Sequence, residues 1–263
     1  MGIDRATTAS GERRPERLAY GDEPLQHVLL RRPVGRGSAG TGTLLLFHGG
    51  SWRAGVGSGT LGPLAARFRA SGWVTAEAEY RTVGAGGGWP TTFDDAGLAV
   101  ARVAQLADDG LLPSPLVALG HSAGGTLAVW LAVSGGSRDV RVAGAVSLAG
   151  VLDLRGSAQV GLIDGAVADL LGGTPTQVPD RYRQADPGLL LAGARPGRLR
   201  LVHGRQDDAV PPAQSRAFAI AAATAGWDVR LDVVDADHMG VIDPDGPAWP
   251  AVREAVTDLG TAG

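Results

Sequence analysis

Short apolar runs alternate with stretches of helical periodicity along most of this chain, and that alternation predicts its architecture. Thr43–Phe47 is apolar after its first residue, the pattern of a strand buried on both faces. Trp73–Tyr80, Leu116–Leu119, Val142–Leu148, Leu199–Val202 and Val229–Val234 read as further strands, and Leu25–Leu30 reads as an early edge strand. Between them, Leu61–Ala70, Phe93–Ala107, Thr126–Val133, Pro212–Ala225 and Trp249–Leu259 carry helical spacing. Strands that alternate with helices imply βαβ crossovers, hence a mostly parallel sheet with helices on both faces. One stretch breaks the rhythm. Residues 152–191 hold Leu170-Leu171-Gly172-Gly173 and Asp180-Arg181-Tyr182-Arg183, too long for a plain loop, and are expected to form a small helical lid over the carboxyl edge of the sheet.

Composition narrows the picture without changing it. Residues 18–263 are long enough for one large α/β domain, and 44% hydrophobic residues suffice for its core. Residues 1–17 are polar and arginine-bearing, and are expected to form a disordered tail with no apolar leader; Pro33–Gly42 reads as a surface turn. No run approaches a membrane span, so a cytoplasmic protein is expected. Every one of the 24 cationic side chains is arginine, which we ascribe to coding bias, and the net charge of −3 argues against nucleic-acid or anionic-membrane partners. Cysteine is absent, which removes disulfides and thiolate chemistry. The histidines are scattered and lack H-E-x-x-H spacing, so no metal is implied.

The chemistry concentrates at strand ends. Gly120-His121-Ser122-Ala123-Gly124 fits G-x-S-x-G between a buried strand and a helix. There, a strained turn lifts a serine hydroxyl above the sheet, and the N–H of the next residue, Ala123, faces a developing oxyanion. A serine needs a base and an orienting acid. His238 follows the last strand, and Asp207 and Asp208 follow the one before it. The order serine, acid, histidine at carboxyl ends of strands matches that reaction plan. Asp235 and Asp237 stand too close to His238 to orient it. His48-Gly49-Gly50-Ser51-Trp52 would supply a second oxyanion donor, from Gly50 or Ser51. His48 is read as orienting that loop, His121 as packing in the turn, His203 as bracing a loop and His27 as surface. Trp52, Trp89 and Met239, with Leu152 and Leu170, are apolar loop or insertion residues that would line a substrate pocket, although Trp52 reads almost equally well as core.

These motifs resemble a known group over about Tyr20 to Leu259. The pairing of His48-Gly49-Gly50-Ser51-Trp52 with Gly120-His121-Ser122-Ala123-Gly124-Gly125 is similar to the kynurenine formamidase and hormone-sensitive-lipase-like (BD-FAE-like) branch of the α/β-hydrolases. So are Tyr80-Arg81, His203-Gly204-Arg205-Gln206-Asp207 with Val210-Pro211, and Asp237-His238-Met239-Gly240-Val241-Ile242-Asp243-Pro244. The resemblance favours Asp207 over Asp208. It implies cofactor-free hydrolysis of a small ester, with short-chain or aromatic carboxylesters first and aryl formamides such as N-formylkynurenine second. One departure is that Ser51-Trp52 follow two glycines where lipase-like members carry three, a form closer to the formamidase-like and bacterial esterase members. A binding protein that has lost its chemistry is the reading from another class; the complete serine, acid and histidine set argues against it. The sequence carries no signal for oligomeric state.

Overall fold

The computed structural model describes residues 15–33, 41–135 and 142–261. Among these residues, eight strands form one sheet in the order β1-β2-β4-β3-β5-β6-β7-β8. They are β1 (Glu16–Ala19), β2 (His27–Arg31), β3 (Thr43–Phe47), β4 (Val74–Ala78), β5 (Leu116–His121), β6 (Gly144–Leu148), β7 (Arg198–Gly204) and β8 (Asp228–Val234). β1 and β2 run antiparallel to their neighbours, and β4 through β8 pair parallel. With the helices on both faces, this is the α/β-hydrolase fold.

Two expectations are corrected at the start of the chain. The run at Leu25–Leu30 forms β2, which is not an edge, because β1 pairs along its outer side and β4 along its inner side. Its histidine, His27, is half-buried rather than a free surface group. Of the expected tail, residues 1–14 lie outside the described residues, whereas Glu16 and Arg17 belong to β1. Most of the Pro33–Gly42 turn also lies outside them.

The core follows from strand alternation. Leu45 and Phe47 of β3 point to one face, under α2 (Thr91–Asp108) and α3 (Ala123–Ser134). Leu44 and Leu46 point to the other, under α1 (Gly62–Ala70) and α9 (Trp249–Gly260). α2 buries Phe93, Ala96, Val100 and Val103, one helical stripe, whereas α3 is apolar around most of its circumference because it lies between the sheet and other helices. α8 (Pro212–Thr224) covers the β7 end. Among the described residues, no helix is long and apolar enough to cross a membrane.

The insertion folds as four short helices: α4 (Leu154–Gln159), α5 (Ala166–Leu171), α6 (Pro179–Ala185) and α7 (Pro187–Leu190). Asp186 joins them. It is 1% exposed, caps α7 by accepting the Gly188 N–H at 2.9 Å, and accepts the Arg155 N–H of α4 at 2.8 Å. Burial pushes its carboxyl up to about 6 in spite of these bonds.

A group whose folded value lies above its unfolded one makes the folded state bind more protons in between. Stability therefore falls as pH rises from about 4 to about 6. Between pH 4 and 7, the difference in unfolding free energy between Asp186→Asn and the wild type is expected to move in favour of the variant by on the order of 2 kcal/mol. Denaturant titrations at the two pH values measure this, and a pH-independent difference would contradict it.

Candidate active site

β5 ends directly in the turn that carries Ser122. Ser122 has φ 52° and ψ −120°, a conformation that L-residues adopt rarely, and it is 4% exposed. Its N–H continues the parallel ladder to the Leu148 carbonyl at 2.9 Å, and its own carbonyl accepts from the Gly125 N–H. The turn closes only with glycine around it. A Cβ on Gly120 would lie 2.0 Å from the Gly124 carbonyl oxygen, and one on Gly124 would lie 2.1 Å from the Phe47 carbonyl oxygen. The start of α3 is thus packed backbone to backbone against the end of β3.

β7 and β8 deliver the other two groups to the same edge. His238 Nδ1 lies 2.8 Å from Asp207 Oδ2, so Nδ1–H donates to the carboxylate and Nε2 is left without a proton. It is Asp207 that meets the histidine; its neighbour Asp208 is exposed. The Asp207 side chain is fully buried. Its Oδ1 accepts the N–H groups of Ala209 at 3.0 Å and Val210 at 2.8 Å, and its Oδ2 also lies 3.1 Å from His203 Nε2. Burial alone would raise this carboxyl, but hydrogen bonds from His203, His238 and Val210 outweigh it and hold the group well below the usual carboxylate range. Asp207 is therefore ionised at neutral pH. Among the described residues no side chain hydrogen-bonds to the Ser122 hydroxyl.

His121 does more than pack. Its Nε2 lies 2.9 Å from the His238 carbonyl oxygen, and the two rings are 4.8 Å apart. Since a carbonyl only accepts, Nε2 carries the proton, and Nδ1 is a bare, buried nitrogen without a partner. Burial, and then repulsion from His238, pushes this ring down to about 4, so it is neutral at neutral pH. The serine turn is therefore bonded to the backbone of the very residue that faces it. Nothing local in the chain signals this bond, because it spans 117 positions.

The loop after β3 is left-handed over three residues, with φ 107° at Gly50 and 55° at both Ser51 and Trp52. Gly49 lets it approach the turn, since a Cβ there would lie 3.2 Å from Ser122 Cβ. None of the backbone N–H groups of Gly50, Ser51 and Ala123 donates to a protein acceptor among the described residues. The base of the loop is fixed. The His48 ring stacks on Tyr80 at 4.3 Å and bonds to Glu79 at 3.0 Å, while Tyr80 donates to the His48 carbonyl at 2.8 Å.

Three of the pocket assignments change. Trp52 is completely buried, and its indole N–H donates to the Ala123 carbonyl at 3.1 Å, so it braces the loop against α3 rather than walling a pocket. Leu152 and Leu170 are likewise fully buried in the core. Trp89 is half-buried, edge-on to Phe93, with its backbone N–H on the Leu170 carbonyl at 2.7 Å; Met239 is 52% exposed. A surface cavity of about 340 Å³ between α4, α7 and α8 reaches Leu152 but includes none of Ser122, Asp207 and His238.

The sequence profile of the BD-FAE family matches residues 33–221, well over half of the chain. The chain belongs to the BD-FAE family. The match spans the His48 loop, the Ser122 turn and Asp207, and ends before His238. LipR of Mycobacterium tuberculosis, whose assigned name is that of an acetyl-hydrolase, is 31% identical over 143 residues, 54% of this chain and 45% of LipR. The chain thus matches less than half the length of that relative. Among solved structures, a truncated carbohydrate esterase from gut microbiota superposes with TM-score 0.77 at 19% identity, covering 94% of this chain and 95% of its own. The thermophilic esterase Est2 of the Planctomycetes species Thermogutta terrifontis superposes with TM-score 0.71 at 23% identity, covering 92% and 89%. Est2 has also been solved with butyrate and with propionate bound. The structural likenesses show that this chain shares the α/β-hydrolase fold of those esterases.

The geometry around His121 predicts its titration. Nuclear magnetic resonance of ring-labelled histidines is expected to show one imidazole, identified by its loss in His121→Gln, that stays neutral down to about pH 5 and protonates near 4. A midpoint for that ring near the ordinary value of about 6.5 would contradict the assignment.

Proposed function

We propose that this chain is a serine hydrolase of small carboxylic esters, with Ser122 as nucleophile, His238 as general base and Asp207 as the acid that orients it. The observation that carries this reading is the Asp207–His238 pair at 2.8 Å, on the same sheet edge at which Ser122 is held in its left-handed turn. A histidine whose Nδ1–H is fixed on a permanent anion presents a basic Nε2 outward, and a serine at such a turn has little other use for its strain.

The steps balance as a double displacement. Ser122 Oγ attacks the ester carbonyl carbon while His238 Nε2 takes its proton, a contact that tightens when substrate binds. The tetrahedral oxyanion is held by the N–H groups of Ala123 and of Gly50 or Ser51, which are free of other acceptors. His238 returns the proton to the alcohol oxygen, the C–O bond breaks and the acyl group remains on Ser122. Water then attacks the acyl-enzyme, gives one proton to His238 and releases the acid, and Ser122 regains its hydrogen. Asp207 remains ionised throughout and stabilises the imidazolium that forms twice per turnover.

A short acyl group is the preferred substrate class in this reading. Support comes from LipR, with its acetyl-hydrolase name, and from Est2, with its bound butyrate and propionate. The burial of Trp52 agrees with it, since that residue offers no aromatic wall to a larger acyl group.

Steady-state hydrolysis of p-nitrophenyl esters from acetate to octanoate, with N-formylkynurenine as the competing formamide, tests the proposal. Turnover is expected to be greatest on the short esters, and Ser122→Ala is expected to lower kcat by several orders of magnitude, on the order of 10⁶ in the best-studied triads. Retention of most activity by Ser122→Ala would overturn the nucleophile, and a preference for the formamide would overturn the substrate class.

A further inference from the structure

One exposed side chain ties the loop beside Ser122 to the insertion, and the reaction steps above leave it unused. Arg53 directly follows the left-handed turn at Gly50–Trp52. Its backbone pairs with Val83 in an isolated bridge, and the Val83 N–H donates to the Trp52 carbonyl at 2.7 Å. From there its guanidinium reaches 116 positions along the chain to the insertion. Nη2 donates to Asp169 Oδ2 at 2.6 Å and to the Asp164 carbonyl at 2.7 Å, and Nε lies 3.2 Å from the same carboxylate oxygen.

Both ends of this contact are strained. Ile163 and Asp164 have φ 54° and 50°, between Gly161 at 64° and Gly165 at 75°. A β-branched residue is a marked outlier there. At the other end stand Gly50, Ser51 and Trp52, all at positive φ. Such backbone persists when its surroundings over-determine it. Arg53 holds the Gly50–Trp52 turn through its backbone N–H, which donates to the Gly50 carbonyl at 3.0 Å, and reaches Asp164 with its guanidinium. A lone exposed ion pair holds little, but this fork makes two bonds to a carboxylate and a third to a carbonyl, which salt does not screen in the same way.

The geometry points to Arg53 as a positioning residue: it clamps the Gly50–Trp52 turn to the Asp164–Asp169 segment, so that the oxyanion donors hold their place during acyl transfer. This rests on the ester-hydrolase reading above. Oxyanion donors act in the transition state more than in the ground state, so loosening them lowers kcat and leaves KM nearly unchanged. The effect is independent of acyl length, because the oxyanion is common to every ester.

Arg53→Ala, Arg53→Lys and Asp169→Asn are compared with the wild type and with the exposed-arginine control Arg216→Ala, on p-nitrophenyl acetate and octanoate. Arg53→Ala is expected to lower kcat about 5- to 10-fold on both esters, with KM within about twofold, the scale of a small displacement of catalytic donors. Arg53→Lys recovers part of the loss, since an ammonium pairs with Asp169 but does not fork onto the Asp164 carbonyl as well. Asp169→Asn loses less than Arg53→Ala, because its amide oxygen still accepts. Raising NaCl to about 1 M moves the wild-type kcat part of the way toward that of Arg53→Ala and leaves the variant unmoved.

An unchanged kcat in Arg53→Ala, or a change confined to KM for octanoate, overturns the clamp while the hydrolase reading stands. So does a rate loss that tracks a lowered Tm and is not recovered by lysine. A wild type inert toward both esters overturns the hydrolase reading, and the clamp with it.

Discussion

Ser122 stands where an L-side chain resists standing, and the surrounding architecture is shaped to keep it there. Its φ of 52° fits because Gly120 and Gly124, two positions away on either side, carry no Cβ. Gly120 rests on the Gly124 carbonyl, Gly124 on the Phe47 carbonyl and Gly125 on Gly150. These contacts draw the ends of β3, β5 and β6 against the first turn of α3. They also set how near the His48 loop comes to the serine, and Gly49 removes the last obstacle on that side. A methyl group at any of these positions would separate elements that the site needs in contact.

Electrostatics builds on that frame. A buried carboxylate is costly unless its lone pairs are filled, and Asp207 fills them with donors from Ala209, Val210, His203 and His238. The result is a fixed negative charge behind a histidine that otherwise lies at a half-open edge. The adjacent His121 is held neutral by its burial, so in the proposed reaction it neither competes for the proton nor repels the imidazolium. Two neighbouring imidazoles thus sit in different environments, one bonded to a carboxylate and one to a backbone carbonyl.

Much of this was legible from the chain, and the reasons for the exceptions are physical. Buried parallel strands announce themselves as apolar runs, so β3 through β7 were readable. β1 was not, because Glu16-Arg17-Leu18-Ala19 is a polar edge strand defined only by pairing with β2. The insertion was visible as a break in rhythm, while its four helices are too short for periodicity to define. Ser122 and His238 were readable from strand-end placement, and Asp207 was separated from Asp208 only through resemblance; in three dimensions burial separates them. Trp52 could equally have faced a pocket or the core, since side-chain direction in a left-handed loop has no sequence period. The bonds from His121 to His238 and from Arg53 to Asp169 join residues more than a hundred positions apart, and nothing local encodes them.

The central claim is that this strained serine is the group that attacks. Treating the protein with a fluorophosphonate and mapping its peptides by mass spectrometry tests it most directly. A single adduct on the peptide that bears Ser122, absent from Ser122→Ala, is the predicted result. An unmodified Ser122 peptide, or an adduct on a different residue, would contradict it.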